Sequence, residues 1–418
     1  MRRGDVRFSM MHKKTLIVVT GAISLLALLG LWGYLLLFGT SKSVSDIFVN
    51  LGLREATLER PEFSTDSDEI RQVALGTGLQ QLTTRSVAGF VSINTASSSV
   101  IRYTERGTGH VYEIDLTTGS EIRVLATTIA KVTDAYFNPD GQTVVLVSEN
   151  EIGKRASIHT IGSDSTSVDL PPNSHDFNLP NSTTVRYTKI ENDETVAYEF
   201  NQTSGITDEL WRIPLTQIGV YWSEDRTIIV NDPAPMLLGG VYEIENGQLK
   251  QLVEPRYSLT AEVNRPGSKV LYTYYDLEQK RFVSTLINLN DQSFSSVAVV
   301  SVPEKCDFST PEQNVIWCAE SFVFGGSDRD VFKEWYQGTL ISEDLLWENA
   351  IAEEKAYLRV DFLKEAGFVI DVEHLTVSAD GRQLFFTNKL NDAMWMYPLS
   401  QAEPATVSDV GAPQTPGQ

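Results

Sequence analysis

The sequence is poor in cysteine, histidine and basic residues, and each shortage excludes something. Two cysteines among 418 residues, Cys306 and Cys318, rule out a disulfide-built scaffold or a thiolate-rich metal cluster. The five histidines are His12, His110, His159, His175 and His374. None stands in an H-x-x-H or H-E-x-x-H spacing, so no metal site is expected. Lys and Arg number 34 against 55 Asp and Glu, a formal net charge of −21. Such a chain lacks the basic patches that neutralise phosphates, which excludes nucleic acid as a partner. No G-x-S-x-G nucleophile elbow is present. Asp66-Ser67-Asp68 and Gly325–Asp330 both miss the ligand spacing of a calcium loop. No catalytic residue, metal or cofactor is therefore expected.

Charge is also missing from residues 15–38, an uninterrupted apolar run of 24 residues. A helix of about 20 apolar residues crosses the hydrocarbon core of a bilayer. The run exceeds the ~7–15 residues of a signal-peptide core, and its exit lacks a small-residue cleavage pattern. Arg2, Arg3, Arg7, Lys13 and Lys14 precede it, and Lys42 alone follows closely. This asymmetry predicts a retained single-pass anchor with a cytoplasmic N-terminus and everything after Gly39 outside. The membrane is thus one expected partner, and a protein of the cell envelope is the other.

What the chain does contain is strands. Val144–Val147, Val185–Ile190, Thr227–Val230, Val270–Tyr274 and Leu384–Thr387 are β-branched or aromatic runs bounded by turn residues. Asn246-Gly247 between two such runs predicts a type I′ hairpin. A form repeats: short strand, polar turn, apolar strand. Its turns centre on Ala96, Asp140, Asn181, Asp225, Pro266, Glu312 and Asp380, at intervals of 44, 41, 44, 41, 46 and 68 residues. A period of about 40–45 residues marks propeller blades. The last copy has room for three strands only, and Leu79–Thr84 is placed to supply its fourth. The sequence predicts an all-β fold: a seven-bladed β-propeller over 79–400, preceded by a single transmembrane helix at 15–38. A basic cytoplasmic segment (1–14), a linker (39–78) and a disordered tail (401–418) complete the organisation.

Ser378-Ala379-Asp380-Gly381-Arg382-Gln383-Leu384-Phe385-Phe386-Thr387, followed by Met394-Trp395-Met396, resembles the repeat of WD40-like, TolB-type propellers. Phe137-Asn138-Pro139-Asp140-Gly141 does too. Arg102–Tyr112 and Trp335–Gly338 resemble segments of membrane-anchored bacterial propeller proteins. The resemblance implies an architecture and an address, and no activity.

Two features single out residues. Cys306 and Cys318 are placed symmetrically about the turn at Glu312, which sets them opposite each other on adjacent antiparallel strands. Opposed Cα atoms lie about 4.5–5.5 Å apart, within reach of a disulfide. The insertion Phe322–Ile341 is longer than a hairpin needs and carries five aromatic rings. It predicts an exposed loop on which Trp335 and Tyr336 anchor a protein partner, the alternative being rings that cover the blade's own face.

The leading expectation is a non-catalytic binding or scaffold module in the envelope, not an enzyme. A propeller enzyme acting on glycans or peptides at the axial pocket is one alternative, because a propeller brings distant acids together where no linear motif records them. A structural subunit of a surface complex is another.

Overall fold

The computed structural model describes residues 71–72 and 78–399, apart from 95–98, 152, 163–166, 224–225, 233–236, 310–313, 322–323 and 325–329. The expected membrane span, the basic segment before it and the tail after 400 lie outside the described residues. Among the described residues no helix is long and apolar enough to cross a membrane.

Among the described residues the strands form six antiparallel sheets, each a meander of sequential strands except where an early strand joins the outer edge of the first and of the last. The second, for instance, runs Val132–Phe137, Thr143–Asn150, Gly153–Thr160, Ser167–Asp169. One sheet has seven strands and turns on the 16-residue strand Gln248–Val263. The first half of that strand pairs with Leu238–Glu245 and its second half with Lys269–Asp276. The turn before it is the predicted hairpin, with Asn246 at φ 52° and Gly247 at φ 74°.

The repeat seen in the sequence is the turn between a unit's first and second strands. Asp140, Asn181, Pro266 and Asp380 all fall there. Side chains close these turns by local hydrogen bonds, the physical reason the residues recur. Asn138 accepts from the Thr143 N–H at 2.8 Å, Asn264 from Lys269 at 2.8 Å, and Ser378 from Gln383 at 3.0 Å.

The first strands lie side by side: Val87–Asn94 against Val132–Phe137, that against His175–Asn178, and Cys306–Phe308 against Val372–Val377. A Cβ on Gly89 would stand 2.0 Å from the Ala135 carbonyl oxygen, so only glycine allows the approach. Apolar clusters fill the space between consecutive sheets. Val145, Ile158, Phe177 and Tyr187 join the second to the third. Leu271, Leu286, Cys306 and Ile316 join the seven-stranded sheet to its successor. Phe385, Met394 and Met396 of the last sheet pack on Ile101, Tyr103 and Ile114 of the first. Sheets wedged face to face around a centre, with the last packed on the first, make a β-propeller of the WD40-like, TolB type.

The last sheet completes itself with an early strand. Gln80–Gln81 pairs antiparallel with Trp395 and Met396, where the sequence places it. One pairing was not foreseen: Arg71–Gln72, inside the expected linker, pairs with Ser120 and Glu121.

Candidate active site

A cavity of about 650 Å³ opens where first strands and the turns after them converge. Glu262 reaches it from Gln248–Val263, Asp307 from Cys306–Phe308, and His374 and Thr376 from Val372–Val377. Glu304 reaches it from the 3-10 turn Pro303–Lys305. The volume is that of an ordinary small-molecule site.

Local sequence explains each placement. Strand alternation sends Ala261 into the apolar cluster between units and its neighbour Glu262 the other way. Pro303 starts the 3-10 turn, its fixed φ already suited to that position. Four consecutive residues then divide their tasks. Lys305 and Cys306 are anchors, while Glu304 and Asp307 face the cavity.

The Lys305 anchor is a fully buried ion cluster. Its Nζ donates to Asp344 and Asp371 at 2.6 Å each and to the Ser342 hydroxyl at 2.5 Å. Asp371 also accepts from Trp335 Nε1 at 2.9 Å. The Cys306 anchor is a disulfide to Cys318, its register partner across the sheet, with Cα atoms 4.1 Å apart. The pairing agrees with the symmetric placement read from the sequence.

The insertion is not the exposed loop that its aromatic content suggests. Its described part forms a short helix, Val331–Tyr336, packed on Tyr275 and Phe282. Trp335 is 2% exposed, and Phe324 and Phe332 are buried with it. Phe322 lies outside the described residues. Tyr336 is partly buried and donates to Glu304 Oε1 at 2.5 Å. Rings of this kind gain more from the core than from solvent, and both residues belong to the framework of the site.

The electrostatics are those of acids crowded out of water. Burial pushes the Glu262 carboxyl well above the usual range, and the Glu304 and Asp307 charges push it further. One 3.3 Å hydrogen bond from the Val263 N–H opposes them weakly. Burial also raises Asp307, to about 6, although the Val377 and Phe308 N–H groups donate to it at 2.7 Å each. Burial raises Glu304, and the hydroxyls of Tyr336 and Thr260 draw it back. The Glu304 Oε2 atom is buried and accepts no hydrogen bond. Burial thus raises all three carboxyls of the cavity, with Glu262 pushed well above the usual range and Asp307 to about 6.

His374 lines the cavity at φ 54°, where a register shift between Glu373 and Thr376 bulges its strand. Bulges re-aim side chains and are frequent beside active sites. His175 bonds to Asp176 and Thr188, and His159 to Ser157. Among the described residues no three His, Cys, Asp or Glu side chains group as a metal site.

No protein-family model matches the chain, and no curated protein does. Solved structures do. An oligogalacturonate lyase from Vibrio parahaemolyticus aligns with TM-score 0.54 and 11% identity, over 80% of this chain and 98% of that one. An oligogalacturonate lyase in complex with manganese aligns with TM-score 0.52 and 11% identity, over 79% and 96%. The β-propeller domain of the trilobed protease from Pyrococcus furiosus aligns with TM-score 0.48 and 10% identity, over 75% and 96%. The likeness is one of fold. It corrects the expectation of a non-catalytic scaffold and of no enzymatic activity: the fold at this level of similarity is that of named enzymes, and a cavity lined by Glu262, Glu304 and Asp307 accompanies it.

Proposed function

We propose that the chain is a seven-bladed propeller enzyme that cleaves glycans by general acid–base chemistry at the cavity lined by Glu262, Glu304 and Asp307. The observation that carries the reading is the pair Glu262 and Asp307: two carboxyls that line one cavity, the first pushed well above the usual range by burial and neighbouring charge, the second raised to about 6 and held by two backbone N–H groups. Glycoside cleavage requires such a pair. The protonated carboxyl gives its proton to the departing glycosidic oxygen as the C–O bond breaks, and the carboxylate serves the anomeric carbon, through water or directly. Glu262 takes the first role and Asp307 the second.

The blade count rests on the topology. Dividing the seven-stranded sheet at Gln248–Val263 supports seven units, six of four strands and the first of five with Arg71–Gln72, the last completed by Gln80–Gln81. We further propose that residues 15–38 tether this domain outside the cytoplasm. The uncharged run and its basic flank support the tether, and the buried disulfide suits an oxidising compartment. Protease added to intact spheroplasts then digests the domain and leaves a small membrane fragment. Full protection overturns the orientation.

The test of the activity is hydrolysis of an oligosaccharide panel by the full chain, beside a peptide panel. Glu262→Gln and Asp307→Asn each lower turnover by about 10²–10⁴-fold while the fold is retained. Turnover that survives both changes, or cleavage of peptides alone, refutes the assignment.

A further inference from the structure

Glu304 plays no part in that acid–base pair, and its carboxyl is held by one oxygen only. Its Oε1 takes the Tyr336 hydroxyl at 2.5 Å and lies 3.4 Å from the Thr260 hydroxyl. Its Oε2 is buried and takes nothing. A buried acceptor without a donor is rare in a native protein, and beside an open cavity the missing donor is the ligand's.

Among the described residues, the groups nearest this carboxyl have other partners. The Tyr221 hydroxyl is committed to the Ala261 carbonyl at 2.7 Å. Thr260 and Tyr336 are bonded to each other at 2.7 Å as well as directed at Oε1. Lys389, whose charge acts on Glu304, bonds to Glu373 at 3.3 Å and lies over the Trp335 ring at 3.6 Å. Lys269 at the cavity wall donates to Asn314 at 2.8 Å, and Arg265 is exposed at the mouth. Three carboxyls therefore line a cavity whose two lining Lys and Arg side chains sit at its edge or are bonded elsewhere. An anionic sugar brings no cationic donor to Oε2, and an amide brings only a weak neutral one. An ammonium gives Oε2 a charge-assisted hydrogen bond.

We propose that Glu304 is the specificity residue of the cavity and that it selects a glycan bearing a free, protonated amine, an amino sugar without its acyl group. This rests on the glycan-cleaving reading above, and the two fail differently.

The experiment compares three probes on the full chain in detergent: a glucosamine trimer, its N-acetylated counterpart and a galacturonate trimer. Binding is measured by isothermal titration at neutral pH. The free-amine trimer is expected to bind at least tenfold more tightly than either of the others. Glu304→Gln keeps an acceptor for Tyr336 and removes the charge. It is expected to bring the free-amine and acetylated trimers within threefold of each other without lowering the Tm. Equal binding of amine and amide by the wild-type protein overturns the proposal, as does tightest binding of the uronate. A tenfold amine preference that persists in Glu304→Gln overturns the role of this residue. Turnover of neutral glycans without amine preference leaves the enzyme standing and removes only this inference. No turnover of any glycan removes the enzyme reading itself.

Discussion

Burial raises the carboxyl of Glu262 at a cost to the fold's stability, and this makes two effects measurable in one variant. A glutamate in the unfolded chain titrates near 4.3, whereas in the fold Glu262 titrates well above the usual range. The native state binds the extra proton across that interval, so stability is lost as pH rises from about 4 through the folded value. Glu262→Gln cancels the loss. Its melting temperature is expected to exceed that of the wild type by several degrees at pH 8 and to match it near pH 4. The same variant removes the proton donor, so activity falls as stability rises. For the wild type, a rate profile should climb through about pH 6 as Asp307 ionises and fall on the alkaline side as Glu262 does. A profile flat from pH 5 to 9 would dismiss both roles. Nothing in the sequence marks these residues. Among 55 acids, Glu262, Glu304 and Asp307 share no spacing, and convergence at an axis leaves no linear trace. The one available signal was charge placed inside otherwise apolar strands, as in Leu259-Thr260-Ala261-Glu262-Val263.

The insertion helix Val331–Tyr336 couples two jobs in neighbouring residues, and single substitutions separate them. Trp335→Ala empties a buried site and takes a donor from Asp371, which sits in the ion cluster of Lys305. A loss of about 3–5 kcal/mol in chemical denaturation is expected, the usual cost for a buried large aromatic. Tyr336→Phe keeps the ring and removes the hydroxyl that fixes Glu304. Stability should change by about 1 kcal/mol, while discrimination among glycans drops. If instead Trp335→Ala leaves stability intact, the helix is not part of the core. The disulfide one strand away was legible because antiparallel pairing about a turn is a matter of counting, and Cys306 and Cys318 count correctly. The aromatic insertion was misread because a string of large rings looks the same whether a blade buries it or presents it. Only the partners decide, and here they are Phe282, Asp371 and Glu304.

A ring of sheets is only as stable as the place where its ends meet, and this propeller closes with backbone, side-chain and apolar contacts together. The Leu82 and Thr83 N–H groups both donate to the Met394 carbonyl, at 2.8 and 3.3 Å, and the Met394 N–H donates back to the Thr83 hydroxyl at 3.0 Å. Leu82 fills the core between last and first sheets. Arg85 then crosses to the buried Glu121 at 2.8 Å. The repeat period made the ring legible, and the missing fourth strand of the last copy made the closure legible, since a sheet edge left open inside a ring has no partner. The Arg71–Gln72 strand had no signal, because two residues carry no periodicity. Truncation tests the closure. Removing residues 1–70 leaves every described strand in place. Removing 1–85 strips the last sheet of its outer strand, deletes the buried Leu82 and deprives Glu121 of its guanidinium partner. A core leucine is worth about 2–5 kcal/mol, and loss of one partner of a buried pair about 3–5 kcal/mol. The longer deletion should therefore lose at least about 5 kcal/mol relative to the shorter one, with an earlier urea midpoint and raised exchange at the Ala393–Pro398 amides. Equal midpoints for the two truncations would mean that the ends of the ring do not hold each other, and that the packing of the remaining sheets alone keeps the cavity in shape.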